Sequence, residues 1–116
     1  MYKFEKLIVW QKALSLLKSV YLLCNKLPTD EKNNIVNQIK RATLSISLNI
    51  AEGSGSENDK EYKRFLFIAK KSLFEVIATL KVINYLYKIN VDEQIQMTDE
   101  VGKLLNGFIN KLKTDS

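Results

Sequence analysis

Residues 35–56, IVNQIKRATLSISLNIAEGSGS, decide the fold of this chain, because one long apolar stripe runs through them and stops at a pair of glycines. Apolar side chains recur there in steps of three and four, which is the spacing of one face of an α-helix. The members of this stripe are Ile35, Ile39, Ala42, Ile46 and Ile50. Gly53 and Gly55 should end the helix, since glycine adopts the left-handed backbone conformations of a tight reversal. The stretch predicts a helix from about Asp30 to Glu52 that turns directly into another.

Helical patterns on both sides of this stretch predict three more helices. The first extends from Ile8 to about Lys26, just before the only proline of the chain. Its expected core face consists of Trp10, Ala13, Leu14, Leu17, Val20, Tyr21 and Cys24. The third begins near Ser56 and meets no breaker until Asn90, so it would hold about 32 residues and reach roughly 48 Å. The fourth is expected to end near Lys113.

The connections between these helices are short, and short connections make neighbouring helices antiparallel. The predicted fold is therefore all-α, an antiparallel up-down-up-down four-helix bundle that forms a single domain over residues 1–116. A content of 46% hydrophobic and 27% charged residues is typical of a globular domain. Because the third helix is longer than its neighbours, its far half should either project into water or contact a partner.

The sequence offers little for catalysis. It contains no histidine, the commonest general base and metal ligand. Cys24 lies on the apolar face of the first helix and is expected to be a core thiol. Glu52 and Glu75 should be over 20 Å apart by helical rise, too far to act as a pair. We therefore expect no catalytic residues, no cofactor, no metal and no small-molecule substrate, and the protein is not expected to be an enzyme.

No apolar run reaches the length of a membrane span, and the amino-terminal residues are charged rather than signal-like. A single cysteine suits a reducing compartment. The expected location is the cytoplasm, without membrane contact. The formal net charge is +5, which permits contacts with nucleic acid without establishing them.

A polar line runs along the second helix between its main stripe and a second apolar stripe, Leu44, Leu48 and Ala51. It consists of Arg41, Ser45, Asn49 and Glu52, spaced by four, four and three residues. Nearly the whole circumference of this helix should thus be buried or paired. We interpret the line as a structural polar network that fixes helix register. A ligand pocket or a nucleic-acid contact remains the alternative.

The third helix carries lysines and aromatic residues away from its core face. Four lysines fall within about 20° of one line at about 100° per residue: Lys63, Lys70, Lys81 and Lys88. Beside them lies a row formed by Phe67, Phe74, Ala78 and Tyr85. The row is interpreted as a subunit interface with a lysine rim. The alternatives are a surface for single-stranded nucleic acid, with lysines on phosphates and rings on bases, and an ordinary solvated face.

Several motifs resemble a known family. The most specific is SISLNIAEG at residues 45–53, preceded by QIKRA at 38–42. WQKA at 10–13 and Phe65-Leu66, followed by Ser72-Leu73 and Glu75, fit the same pattern. Together they resemble the four-helix-bundle proteins encoded in intervening sequences of bacterial 23S ribosomal RNA genes. Lys71 departs from the pattern, because the family often has glycine before that serine.

The resemblance implies a barrel-shaped homopentamer with no catalytic residues to carry over. It also implies kinship with the accessory protein of diversity-generating retroelements, which binds nucleic acid and a reverse transcriptase. The expected protein is a non-enzymatic, homopentameric helical bundle that serves as a basic scaffold for RNA or DNA. The alternative is a purely structural protein–protein assembly module that binds no nucleic acid.

Overall fold

The computed structural model describes residues 1–112 and contains four α-helices and no strand in that range. The helices are α1 (Ile8–Cys24), α2 (Ile35–Ser54), α3 (Asp59–Tyr87) and α4 (Asp92–Lys111). Short 3₁₀ turns precede α1 at Lys3–Lys6 and α2 at Thr29–Glu31. The all-α prediction is confirmed. The predicted end of the fourth helix near Lys113 lies outside the described residues.

Each helix packs against two others. The backbones of α1 and α3 both approach those of α2 and α4, and no Cα pair within 8 Å joins α1 to α3 or α2 to α4 in the part of the chain that the structure describes. The four helices thus form a closed square, which is compatible with the predicted up-down-up-down order. The bundle measures 47 × 24 × 20 Å.

The core contains the main apolar stripe of α2, as the sequence predicts. Ile39, Ile46 and Ile50 are inaccessible to solvent, and they pack with Leu66 and Leu80 of α3 in one apolar cluster. Burial of each such side chain stabilises the fold by about 1.5–3 kcal/mol. The three-and-four spacing of the isoleucines is therefore the local signal that places α2 on the core.

The core face of α1 differs from the predicted one. Leu14 and Tyr21 are exposed, whereas Val9, Leu16 and Leu23 are buried. Apolar residues surround almost the whole of α1, so its own spacing permits more than one stripe. The contacts of α1 with α2 and α4 select the buried one. Tyr21 is instead covered on one side by Lys40 of α2, whose Nζ lies 4.4 Å from the ring centre.

The turn between α2 and α3 does not use glycine in the way that the sequence suggested. No glycine of the described chain has a positive φ, and Gly53 lies inside α2. A Cβ at Gly53 would sit 2.8 Å from Cδ1 of Tyr62, so this glycine permits close packing of α3 on α2. Helix α3 is capped by Asn58, whose Oδ1 accepts a hydrogen bond from the Glu61 amide at 2.8 Å, and not by Ser56.

The carboxyl-terminal half of α3 remains attached to the bundle. Ile83 is fully buried, and the helix ends at Tyr87, where Lys88 takes a left-handed conformation with φ of 56°. The Tyr87 hydroxyl donates a hydrogen bond to the Glu31 carboxylate in the turn before α2. The far half therefore does not project free into water, and α3 holds 29 residues rather than about 32.

We predict that Tyr87→Phe lowers the melting temperature near neutral pH and that this loss disappears in acid. The hydrogen bond from Tyr87 lowers the pKa of Glu31, and the same bond raises the pKa of Tyr87 to about 12. Because the folded pKa of Glu31 is depressed, its contribution to stability is present above the unfolded pKa, about 4.3, and is lost as pH falls through the folded pKa. Because the folded pKa of Tyr87 is raised, the contribution of its neutral phenol to stability is fully present below the unfolded pKa, about 10, and is lost as pH rises through about 12.

Thermal unfolding followed by circular dichroism from acidic to mildly alkaline pH tests this. Tyr2→Phe removes an exposed hydroxyl at the other end of the bundle and is the matched control. If the difference in melting temperature between wild type and Tyr87→Phe stays constant through the acidic range, the loss does not come from the bond to the ionised Glu31.

Candidate assembly and nucleic-acid surfaces

Two members of the polar line on α2 form a hydrogen-bonded network with α3. The Oγ atoms of Ser45 and Ser72 are 2.9 Å apart, and either can be the donor. The Asn49 amide donates to the Ser45 carbonyl at 2.8 Å and to Ser45 Oγ at 3.0 Å. All three residues are half-buried. The structure therefore contains a polar clamp, Ser45–Asn49–Ser72, that links α2 to α3 near the middle of both helices.

Arg41 and Glu52, the other members of the line, lie outside this clamp. Both side chains are exposed, and neither forms an ion pair within residues 1–112. Sequence reasoning did not assign Ser72 to the network. The local sequence gives one weak indication of its role: Ser72 is a small hydroxyl residue on a helix of mostly large side chains, and it directly precedes the buried Leu73.

A polar groove of about 420 Å³ opens beside the clamp, between α2 and α3. Arg41 and Asn37 line it from α2, and Gln38 donates across it to Oε2 of Glu75 at 3.3 Å. Glu75 is thus level with Gln38, which precedes Glu52 by fourteen residues, or about 21 Å of helical rise. The two glutamates cannot form a catalytic pair within one subunit.

The aromatic row of α3 faces outward along the whole helix. Phe67, Phe74 and Tyr85 are 48%, 63% and 75% exposed, and Ala78 is exposed between them. Steps of seven, four and seven residues keep these side chains within about 20° of one line, opposite the buried side of α3. The row is therefore not part of the subunit core, and the isolated subunit leaves it in water.

The four lysines lie along the side of the aromatic row that is nearer to α4. Lys81 and Lys88 are exposed, whereas Lys63 and Lys70 are half-buried. The Lys88 ammonium is 5.5 Å from the centre of the Tyr85 ring, within cation–π range. None of the four forms an ion pair with a described residue. Their charges thus remain available at the surface.

A second apolar face lies on α1 and α2. Leu44 and Leu48, which belong to the second stripe of α2, are exposed, and so are Leu14 and Tyr21 of α1. By helical position, the polar groove with Arg41 separates this face from the aromatic row. One subunit thus presents two different apolar surfaces on different sides.

Other sites for chemistry are scarce. Cys24 is buried, as the sequence predicts, and burial raises the pKa of its thiol, so it is a poor nucleophile. In the described part of the chain, no cluster of His, Cys, Asp and Glu is arranged to hold a metal ion. None of the helices described above is both long and apolar enough to cross a membrane.

These features define an all-α four-helix bundle with a polar clamp between its second and third helices and unusually apolar outer faces. The family model of the 23S rRNA-intervening sequence proteins matches residues 5–107, and the chain therefore belongs to that family. This confirms the resemblance carried by the motifs of α1, α2 and α3.

A solved structure has the same fold. It is the crystal structure of a protein with unknown function from the S23 ribosomal protein family of Bacteroides thetaiotaomicron. The TM-score is 0.78 at 24% sequence identity, over 89% of this chain and 96% of that one. No curated protein matches this chain in sequence.

Proposed function

We propose that this protein is a non-enzymatic building block of a homopentameric helical assembly, acting in the cytoplasm. The observation that carries the proposal is the exposed aromatic row of α3. Three aromatic side chains on one helix face, 48–75% exposed, leave an apolar area in water that single-chain proteins rarely tolerate. Covering the exposed part of each ring would contribute about 1–1.5 kcal/mol per ring.

The two apolar faces favour a head-to-tail contact. In such a contact the leucine face of one copy, with Leu44 and Leu48, would cover the aromatic row of the next. A contact between two different faces of identical subunits is heterologous, and it closes into a ring when the rotation per subunit is suitable. The polar clamp supports this arrangement, because it fixes α2 against α3 and hence the angle between the faces. Five is the number of copies that the family resemblance implies.

The mass of the purified protein tests the assembly. Light scattering at micromolar concentration and about 0.15 M salt, where charge interactions beyond about 8 Å are screened, should give about 67 kDa, five times the 13.4 kDa subunit. A stable species of 13.4 kDa under these conditions would reject the assembly and leave the aromatic row unexplained.

Nucleic-acid binding by the assembly is the second candidate function, favoured by four lysines that form no ion pair with a described residue. Ammonium groups neutralise phosphates, and these lysines would stay at the rim of the interface when the next copy covers the aromatic row. Five subunits of charge +5 would together carry +25. No base-reading motif is present on α3, so such binding should depend on charge and shape. If it is absent, the purely structural assembly module is the function that remains.

We predict that Lys81→Gln/Lys88→Gln weakens binding to single-stranded RNA and DNA about equally for all sequences. Each lysine that contacts a phosphate contributes about 0.7 to the slope of log K against log salt, so the slope should become shallower by that amount per lost contact. Fluorescence anisotropy over a salt series measures it.

Lys3→Gln/Lys18→Gln is the matched control, because it removes the same charge from exposed positions outside α3. An equal loss in both variants would mean that net charge, and not the lysine line, drives binding. No salt-dependent binding by the wild type, even at low ionic strength, would exclude the nucleic-acid function.

A further inference from the structure

Helix α4 has an outer side on which charge is sorted along the helix. Glu93 and Glu100 lie towards its amino end, and Lys103 and Lys111 lie towards its carboxyl end, all four exposed. Glu93, Glu100 and Lys111 fall within about 20° of one line at about 100° per residue, and Lys103 is about 60–80° away from them. This side borders α1, because Lys12 of α1 pairs with Glu100 at 3.4 Å. It is separate from the aromatic row and from the leucine face.

Each half of this side borders a groove. The acidic half opens on a groove of about 670 Å³ that is lined by Glu93, Asp99 and Glu100, by Gln96 and Met97, and by Lys103, which also lines the basic groove. The basic half opens on a groove of about 450 Å³ between α4 and the start of α1. This second groove has an apolar floor, three lysines and no acid, and it is lined by Lys6, Leu7, Ile8, Val9, Lys103, Leu104, Gly107, Phe108 and Lys111. A Cβ at Gly107 would meet nothing within 4 Å, so the floor is open at that point.

The two halves are related by a reversal of the helix about Gly102. Glu93 precedes Gly102 by nine residues and Lys111 follows it by nine. If α4 of a second copy lies antiparallel with the two Gly102 positions level, each Glu93 meets the Lys111 of the other copy, since the two residues share one angle around the helix.

We propose that α4 is a two-fold docking surface for α4 of a second copy of this chain. The surface is self-complementary, as an isologous contact requires, because the same face carries the acids and the lysines that would pair with them. Symmetry gives two Glu93–Lys111 pairs for each contact. Lys12 already partly neutralises Glu100, so the Glu93–Lys111 pairs provide the main electrostatic attraction. The contact goes beyond the proposed ring, since it joins copies through a side that the ring does not use.

Exposed ion pairs are weak and are screened by salt, so the docking should depend on ionic strength. Sedimentation equilibrium on the full chain, at about 0.01 M salt, where the screening length is about 30 Å, is expected to show twice the mass found at about 0.15 M salt. The α4 contact does not require the ring: if the protein forms rings, two rings would associate, and if it is a single subunit, two subunits would associate. Failure of the ring and failure of the α4 contact are therefore distinguishable.

Charge reversal identifies the residues. Glu93→Lys and Lys111→Glu should each lower the low-salt association constant about tenfold or more, because like charges then face each other. The double variant Glu93→Lys/Lys111→Glu restores opposite charges across the two-fold axis and should regain the doubled mass. Glu57→Lys makes the same charge change as Glu93→Lys on an exposed position outside α4 and outside both grooves, and it should retain the doubling.

Helicity by circular dichroism confirms that each variant is folded. A mass that does not change with salt, single reversals that associate as well as the wild type, or a double variant that stays undoubled would each overturn the proposal.

Discussion

Replacing Phe74 with glutamate is expected to reduce the assembly to single subunits while leaving the helices intact. Phe74 is 63% exposed in the subunit, so the new carboxylate would remain in water before association. Association would then bury the carboxylate against the apolar face of the next copy, and a pair with Lys70, one helical turn away, would not offset the loss of its hydration. A cost on the order of 4 kcal/mol lowers the association constant by roughly a thousandfold.

Light scattering and circular dichroism on the same sample separate the two effects. Phe74→Leu keeps the position apolar and should leave the mass unchanged. Asn106→Glu adds the same charge to an exposed position on α4 and should also leave it unchanged. A Phe74→Glu protein with the wild-type mass would reject the row as an interface. A joint fall in mass and helicity would mean that the subunit itself had been damaged.

Gly53→Val is expected to cause the largest loss of stability of any glycine substitution in the chain. A Cβ at this position would lie 2.8 Å from Cδ1 of Tyr62 and 3.1 Å from Cβ of Phe65. Tyr62 cannot move aside easily, because it is buried and its ring centre is 5.1 Å from that of Phe108. The gain in helix propensity over glycine is below about 1 kcal/mol. Overpacking by a branched side chain costs more, so we expect a net loss of about 3 kcal/mol in the free energy of unfolding.

Urea unfolding at equal subunit concentration measures this loss. Gly107→Val is the matched control, because a Cβ at Gly107 meets nothing within 4 Å, and it should be neutral or slightly stabilising. If Gly53→Val unfolds within about 0.5 kcal/mol of the wild type, a size typical of harmless surface changes, then the contact with Tyr62 is not tight.

The sequence predicts the fold where one apolar stripe of a helix is clearly longer than any other. In α2 the isoleucine stripe runs along the whole helix, whereas the second stripe of Leu44, Leu48 and Ala51 is short, so the spacing alone identifies the core face. In α1 this signal fails, because Leu14, Leu16, Leu17 and Tyr21 cover most of the circumference, and only contact with α2 and α4 decides which are buried.

For the candidate surfaces too, features that lie on one helix could be predicted, and features that depend on two helices could not. The aromatic row and the lysine line follow from periodicity within one helix, and their placement outside the core could be predicted. The partner of Ser45 could not, because pairing with Ser72 depends on the register between α2 and α3, which no local spacing contains. The role of Gly53 could not be predicted for the same reason. It depends on the contact with Tyr62 between α2 and α3, whereas the sequence suggested a turn.

The closed square of helices permits the helices to follow one another along the chain in a different order. Lys6, just before α1, and Lys111, at the end of α4, line the same groove, so the start of the first helix and the end of the last lie side by side. A short linker could join them there, and a new opening between α3 and α4, beside the exposed Lys88 or Asn90, would leave every helix-to-helix contact in place. A circular permutant of this kind would begin with α4 and still fold to the same bundle, since permutation is tolerated where the ends are close and the cut falls in a surface connection.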